Sequence, residues 1–88
     1  MTWRIEWSQT ASKAYQKLDS SERRRIAKYL QQRVAVLENP RGLGRALTGD
    51  RQGLWRYRVG NYRLLCLIED GRLRILVLQV GHRKEVYR

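Results

Sequence analysis

An 88-residue chain with 42% hydrophobic residues has room for one modest core, read here as a single domain over residues 1–88, and is too apolar for a disordered basic tail. Nineteen Lys and Arg against eight Asp and Glu give a formal charge of +11, which argues against an ordinary enzyme of neutral metabolites and for a polyanionic partner: nucleic acid, a membrane surface or an acidic protein. The opening MTWRIEWSQT lacks a signal-peptide core and no segment approaches the roughly 20 apolar residues that span a bilayer, so a reducing cytoplasm is the expected location.

Residues 2–7, TWRIEW, alternate with Trp3, Ile5 and Trp7 on one face, the pattern of a half-buried strand. Ala11, Ala14, Tyr15 and Leu18 then recur at helical spacing behind Ser8, a suitable N-cap. Asp19 followed by Glu22 resembles a capping box and opens a second helix, whose apolar stripe is Ile26, Tyr29, Leu30, Val34 and Leu37. Asn39-Pro40 ends it, because the residue before proline is pushed out of the α region.

Residues 39–53 hold the only proline and four of seven glycines, and read as a basic loop. Beyond it the period is two. LWRYRV (54–59), YRLLCLIE (62–69) and RLRILVLQV (72–80) are strands, joined by tight turns at Gly60-Asn61 and Asp70-Gly71. The closing GHRKEVYR offers one short edge strand. Cys66, the single cysteine, lies in an apolar run and reads as a small core residue. The expected fold is therefore α+β, an αα-hairpin packed on one face of a small antiparallel β-sheet, in the order β-α-α-β-β-β with an optional last β.

If Gly60-Asn61 closes a two-residue turn, Val59 pairs with Tyr62 and Arg58 with Arg63, while Arg56 shares the face of Arg58. Trp55, Tyr57, Val59, Tyr62 and Leu64 then face the helices. Opposed like charges destabilise a sheet, and an anion between them removes the penalty. Edge charges also block aggregation, but lysine serves that purpose, whereas forked arginine donors match phosphate oxygens. Arg23-Arg24-Arg25-Lys28 reads as a solvated face as readily as an RNA contact. By strict alternation Leu65, Leu67, Leu76, Leu78 and Val80 join the arginine side, too apolar a set for a face left in water.

WRYRVGNYRLLC, the closing VGHRKEVY and the β-α-α start ending in ENPR together resemble the RelE/ParE superfamily of bacterial toxins, with RelE-like ribosome-dependent mRNA interferases nearest. The resemblance covers essentially the whole chain. It implies a type II toxin that cuts mRNA in the ribosomal A site, without metal or cofactor, by attack of a ribose 2′-OH on the adjacent phosphate. It also implies a cognate RelB-like antitoxin. Matched motif by motif, the implied catalytic positions are Arg56, Arg58, Arg63, Arg83 and Tyr87. Arg45, Arg51 and Lys84 are assigned to RNA contact, and Leu65, Leu67, Leu76 and Leu78 to the antitoxin. Arginine stands where some relatives carry lysine on the central strand.

Such cleavage needs a base, an acid and positive charge against the developing phosphorane. Arginine suits only the third role, and tyrosine near pKa 10 is a poor base unless cations lower it. Histidine is the side chain type whose unperturbed charge changes near neutrality, so His82, the only histidine, and Tyr87 both stand as proton carriers. Two rivals share the charge: a ParE-like DNA gyrase inhibitor without RNase activity, and a plain basic RNA-binding domain.

Overall fold

The computed structural model describes residues 2–49 and 53–82. In chain order these form β1 (Arg4–Trp7), α1 (Gln9–Gln16), α2 (Ser20–Tyr29), a π-turn (Leu30–Val34), a 3-10 turn (Pro40–Gly42), β2 (Arg45–Ala46), β3 (Trp55–Val59), β4 (Tyr62–Glu69), a second 3-10 turn (Asp70–Arg72) and β5 (Arg74–His82). The five strands make one sheet in the order β1-β5-β4-β3-β2. α1 packs on β5 and α2 on β3, so both helices cover one face. Among the described residues no helix is long and apolar enough to cross a membrane.

Ser8 caps α1 as expected, its hydroxyl accepting from the Ala11 N–H at 3.1 Å. Asp19 makes no such side-chain bond, so the expected capping box does not form. Arg23 takes over at this corner: its guanidinium donates to the carbonyls of Gln16 and Leu18 at 3.1 and 3.0 Å, satisfying groups that the end of α1 leaves open. Tyr15 donates back to the Arg23 carbonyl at 2.8 Å. One arginine of the helix cluster is thus a structural clasp.

The second helix ends earlier than Asn39. After Tyr29 it widens, the Ala35 N–H reaching the Leu30 carbonyl at 2.8 Å, and this wide turn buries Leu30, Val34 and Ala35 together. Ala35 then accepts from the Trp3 N–H at 2.9 Å, which turns the chain toward the start of β1.

Three sheet details depart from simple alternation. First, β1 runs parallel to β5, with Ile5 beside Ile75 and Trp7 beside Val77. The rest of the chain separates these strands, so no hairpin dictates an antiparallel pairing. Second, the β4–β5 connection is longer than a two-residue Asp70-Gly71 turn: it is a 3-10 turn followed by Leu73 at φ 49°. That left-handed residue directs its carbonyl at the Arg4 N–H, 2.9 Å away, tying the turn to β1.

Third, β5 carries a bulge. Leu65 pairs with Gln79 but Cys66 pairs with Val77, so Leu78 is an extra residue. The bulge reverses the parity beyond it and returns Val80, 8% exposed, to the core beside Leu64, correcting its expected place on the arginine side. Ser8 donates its hydroxyl to the Leu78 carbonyl at 3.1 Å, satisfying the bulge.

The core brings Ala11, Ile26, Leu30 and Val34 against Tyr57, Val59, Leu64, Cys66, Ile68, Ile75, Val77 and Val80. Trp3 is buried with them, and Ile5 and Trp7 pack against the cluster, as the alternation of TWRIEW requires. Cys66 is fully buried, and burial pushes its thiol pKa up to about 12.

Residues expected to form only a loop are bound to β3 along much of their length. Tyr57 donates its buried hydroxyl to the Pro40 carbonyl at 2.6 Å, Trp55 donates to the Leu43 carbonyl at 2.7 Å, and Arg45 and Ala46 pair with Arg56 and Trp55. Gly44 makes this possible. At φ 77° it lies so near β3 that an added Cβ would stand 2.3 Å from the Arg56 carbonyl oxygen.

Candidate nucleic-acid interface

The β3–β4 hairpin has the expected register: Val59 opposite Tyr62, Arg58 opposite Arg63. Arg56 pairs with Arg45 on one side and Leu65 on the other. Because paired residues share a face and strand neighbours alternate, Arg45, Arg56, Arg58 and Arg63 all lie on the side away from the helices. They form two adjoining rows, Arg45-Arg56-Leu65 and Arg58-Arg63-Gly81.

Their exposure differs along each row. Arg45 and Arg58 are exposed, Arg56 is half-buried, and Arg63 is only 9% exposed. Arg63 is therefore a buried charge beneath the exposed ones, a distinction that alternation alone does not make. Leu65, also on this side, is 1% exposed, while Leu67, Leu76 and Leu78 are half-buried.

The ion pairs among the described residues gather at one side of the molecule. Arg74 binds Glu6 at 2.8 Å and also Glu69, Arg4 binds Glu6 at 3.1 Å, and Arg41 grips Asp70 with two bonds of 3.0 and 2.8 Å. The Arg74 guanidinium holds the Glu69 carboxyl below its usual range, and Arg41 does the same for Asp70. Arg4 and Arg74 begin β1 and β5, Glu69 and Asp70 stand at the end of β4, and Arg41 reaches Asp70 from the 3-10 turn at Pro40–Gly42. Among the described residues no carboxylate is paired with Arg45 or Arg58 near the opposite end.

The end that carries Arg45 and Arg58 has a depression of about 390 Å³, lined by Tyr29, Gly44, Arg45, Arg56 and Arg58. Tyr29 and Gly44 carried no functional signal in the sequence, one being a member of a helical stripe and the other one of four glycines in a loop. Arg25 also comes close, since a Cβ on Gly60, at φ 60°, would lie 2.7 Å from its Nη1. The helix cluster thereby reaches the tip of the hairpin that carries Arg58 and Arg63.

His82 is not brought to the arginine face. It pairs with Tyr62, its ring 6.0 Å from the Tyr62 ring in a T-shaped contact, and Tyr62 packs on the core side of β4. Arg51, Arg83, Lys84 and Tyr87, together with the expected terminal edge strand, lie outside the described residues.

Residues 5–87 match the model of the ParE toxin family of type II toxin–antitoxin systems, and the chain belongs to that family. That family lies within the RelE/ParE superfamily. A 53-residue stretch, 60% of the chain, is 38% identical to Toxin RelE of Mycobacterium tuberculosis, and a 49-residue stretch is 37% identical to Toxin RelG of the same organism. The matches span little more than half the length of those relatives, 55% and 56%.

Among solved structures, a chain of the RelBE2 toxin–antitoxin complex from M. tuberculosis superposes with a TM-score of 0.85, 24% identity and coverage of 97% of this chain and 95% of that one. The isolated E. coli RelE toxin gives 0.71 at 24% identity, covering 97% and 90%. The expected two-helix, one-sheet architecture is therefore that of RelE toxins.

Proposed function

We propose that this chain is a ribosome-dependent mRNA endonuclease that cuts in the A site without metal or cofactor. The observation carrying the proposal is the convergence of Arg45, Arg56, Arg58 and Arg63 in adjoining rows of one sheet face. A ribose 2′-OH attacks the neighbouring phosphorus, its proton passes to a base, and the 5′-oxygen leaves with a proton from an acid, giving a 2′,3′-cyclic phosphate and a 5′-hydroxyl. Charge develops on the non-bridging oxygens between those events. Preorganised guanidinium donors are strongest at such a place, because they need not reorganise as the charge grows.

In this scheme exposed Arg58 and half-buried Arg56 grip the phosphate, and buried Arg63 adds a fixed positive field beneath them. Arg83 is assigned to stabilise the leaving side and Tyr87 to move protons. The His82–Tyr62 contact favours Tyr87 over His82 in that role. Arg45, Arg51 and Lys84 track the flanking RNA backbone.

A RelB-like antitoxin silences the site, laying an apolar segment along Leu67, Leu76 and Leu78 with acidic residues over the arginines. Leu65 contributes beneath this contact, being almost wholly covered already. Several of the structural relatives are complexes of a toxin with such a partner, including the E. coli RelBE complex.

The family match to ParE toxins keeps one rival in play, a gyrase inhibitor without RNase activity. Primer extension on an mRNA translated in a purified system, with and without ribosomes, separates the two. Ribosome-dependent cuts, lost in Arg58→Gln and Tyr87→Phe, support the nuclease; no cuts together with inhibition of purified gyrase supports the rival.

A further inference from the structure

The depression beside β3 has features that phosphate binding alone does not require. Among the described residues β2 pairs with Trp55 and Arg56 alone, leaving the edge of β3 at Tyr57–Val59 without a partner strand, and the depression is lined both by Arg45, Arg56 and Arg58 of the arginine face and by Tyr29 of α2. Its wall on the α2 side is the ring of Tyr29. That ring is held by a T-shaped contact with Tyr57, centroids 6.2 Å apart, and Tyr57 is itself tied to Pro40.

Tyr29 differs from the other tyrosines around it. Tyr15 and Tyr57 spend their hydroxyls on the carbonyls of Arg23 and Pro40, whereas among the described residues the Tyr29 hydroxyl has no such tie. Tyr29 is half-buried, and burial raises its hydroxyl pKa, with Arg33 acting in the opposite direction. Gly44 also lines the depression, at a place where any side chain would strike the β3 backbone.

A volume of about 390 Å³ suits one nucleotide. Guanidinium groups on one wall match its phosphate, and an aromatic ring on the other matches a base, since every base has a face on which to stack. A carboxylate from an acidic peptide would use the arginines but have no use for the ring.

We infer that Tyr29, Arg45 and Arg58 form a subsite for a single RNA nucleotide flanking the scissile phosphate, its base on the Tyr29 ring and its phosphate on the two arginines. The inference rests on the RNA reading above and adds a base-contacting residue on α2, outside the cationic strands.

The test measures fluorescence anisotropy of the full chain with a dye-labelled single-stranded hexanucleotide carrying 2′-O-methyl riboses, which cannot be cut, and with its abasic counterpart. The base-bearing strand should bind the wild type between about 5- and 100-fold more tightly. Tyr29→Leu should abolish that difference and Tyr29→Phe should keep it. Arg58→Gln should weaken both strands and reduce the slope of log K against log salt by about 0.7. A base preference that survives Tyr29→Leu overturns the subsite, and if ribosome-dependent cutting is intact it leaves the nuclease standing. An acidic hexapeptide that competes equally with both strands, with no base preference in the wild type, assigns the depression to antitoxin carboxylates and also overturns it. Failure of the wild type to bind either strand at low salt overturns the subsite, and primer extension with ribosomes then decides the nuclease reading separately.

Discussion

Arg58 and Arg63 stand directly opposite each other on β3 and β4, the first exposed and the second 9% exposed. The same pairing therefore holds one cation in water and another in the body of the sheet. Their roles separate on substitution. Arg58→Gln relieves a like-charge pair and should stabilise the fold by about 0.2–0.5 kcal/mol. On the proposed mechanism it should cost about 100- to 1,000-fold in ribosome-dependent cleavage. Arg63→Ala should lose activity and also about 1–3 kcal/mol of stability. Urea melts beside primer extension read both quantities.

Acid should weaken the paired end of the molecule. Glu69 and Asp70 have carboxyls held below their ordinary values of 4.5 and 3.8 by Arg74 and Arg41. A depressed folded-state pKa gives stability that is present above the unfolded value and lost as pH falls through the folded one. Melting temperature should therefore decline from about pH 4.5 downward. Asp70→Asn should flatten the decline, and a decline of unchanged shape in that variant would show that the Arg41 clamp contributes nothing.

Gly44→Ala should be costly and Gly71→Ala nearly neutral. The first places a Cβ 2.3 Å from the Arg56 carbonyl oxygen at φ 77°, while the second meets nothing within 4 Å. Strain of about 1–3 kcal/mol is expected at Gly44, with loss of the β2 pairing. Thermal melts rank the two, and equal values would refute the close approach of β2 to β3.

Leu76→Asp should weaken antitoxin binding by at least about tenfold while leaving the toxin folded, because Leu76 is half-buried opposite Leu67 on the side away from the helices. Titration calorimetry with the cognate antitoxin checks this. Unchanged affinity would move the antitoxin to another surface.

Cys66 should resist alkylation. Its thiol is fully buried and its pKa stands at about 12, so almost no thiolate exists at neutral pH. Iodoacetamide should label the chain only after denaturation, as mass spectrometry would read directly.

What the sequence determined by itself was whatever a short-range rule controls. Gly60-Asn61 is a two-residue turn, so the parity of β3 against β4 follows, and with it the opposed Arg58 and Arg63 and the inward Tyr57, Val59 and Leu64. Ser8 as a cap and Trp3, Ile5 and Trp7 as one strand face are legible for the same reason. Tertiary structure decided the rest. The extra Leu78 in β5 answers to Ser8, seventy positions away, and moves Val80 into the core. Arg23 rather than Asp19 secures the corner between the helices because open carbonyls at the end of α1 lie within its reach. β2 is two residues long, too short for any period to show, and it forms because Gly44 lets the chain lie against β3. Neither Arg63 as a buried charge nor Tyr29 as the wall of a cationic depression follows from alternation, because burial depends on what other segments bring to the same place.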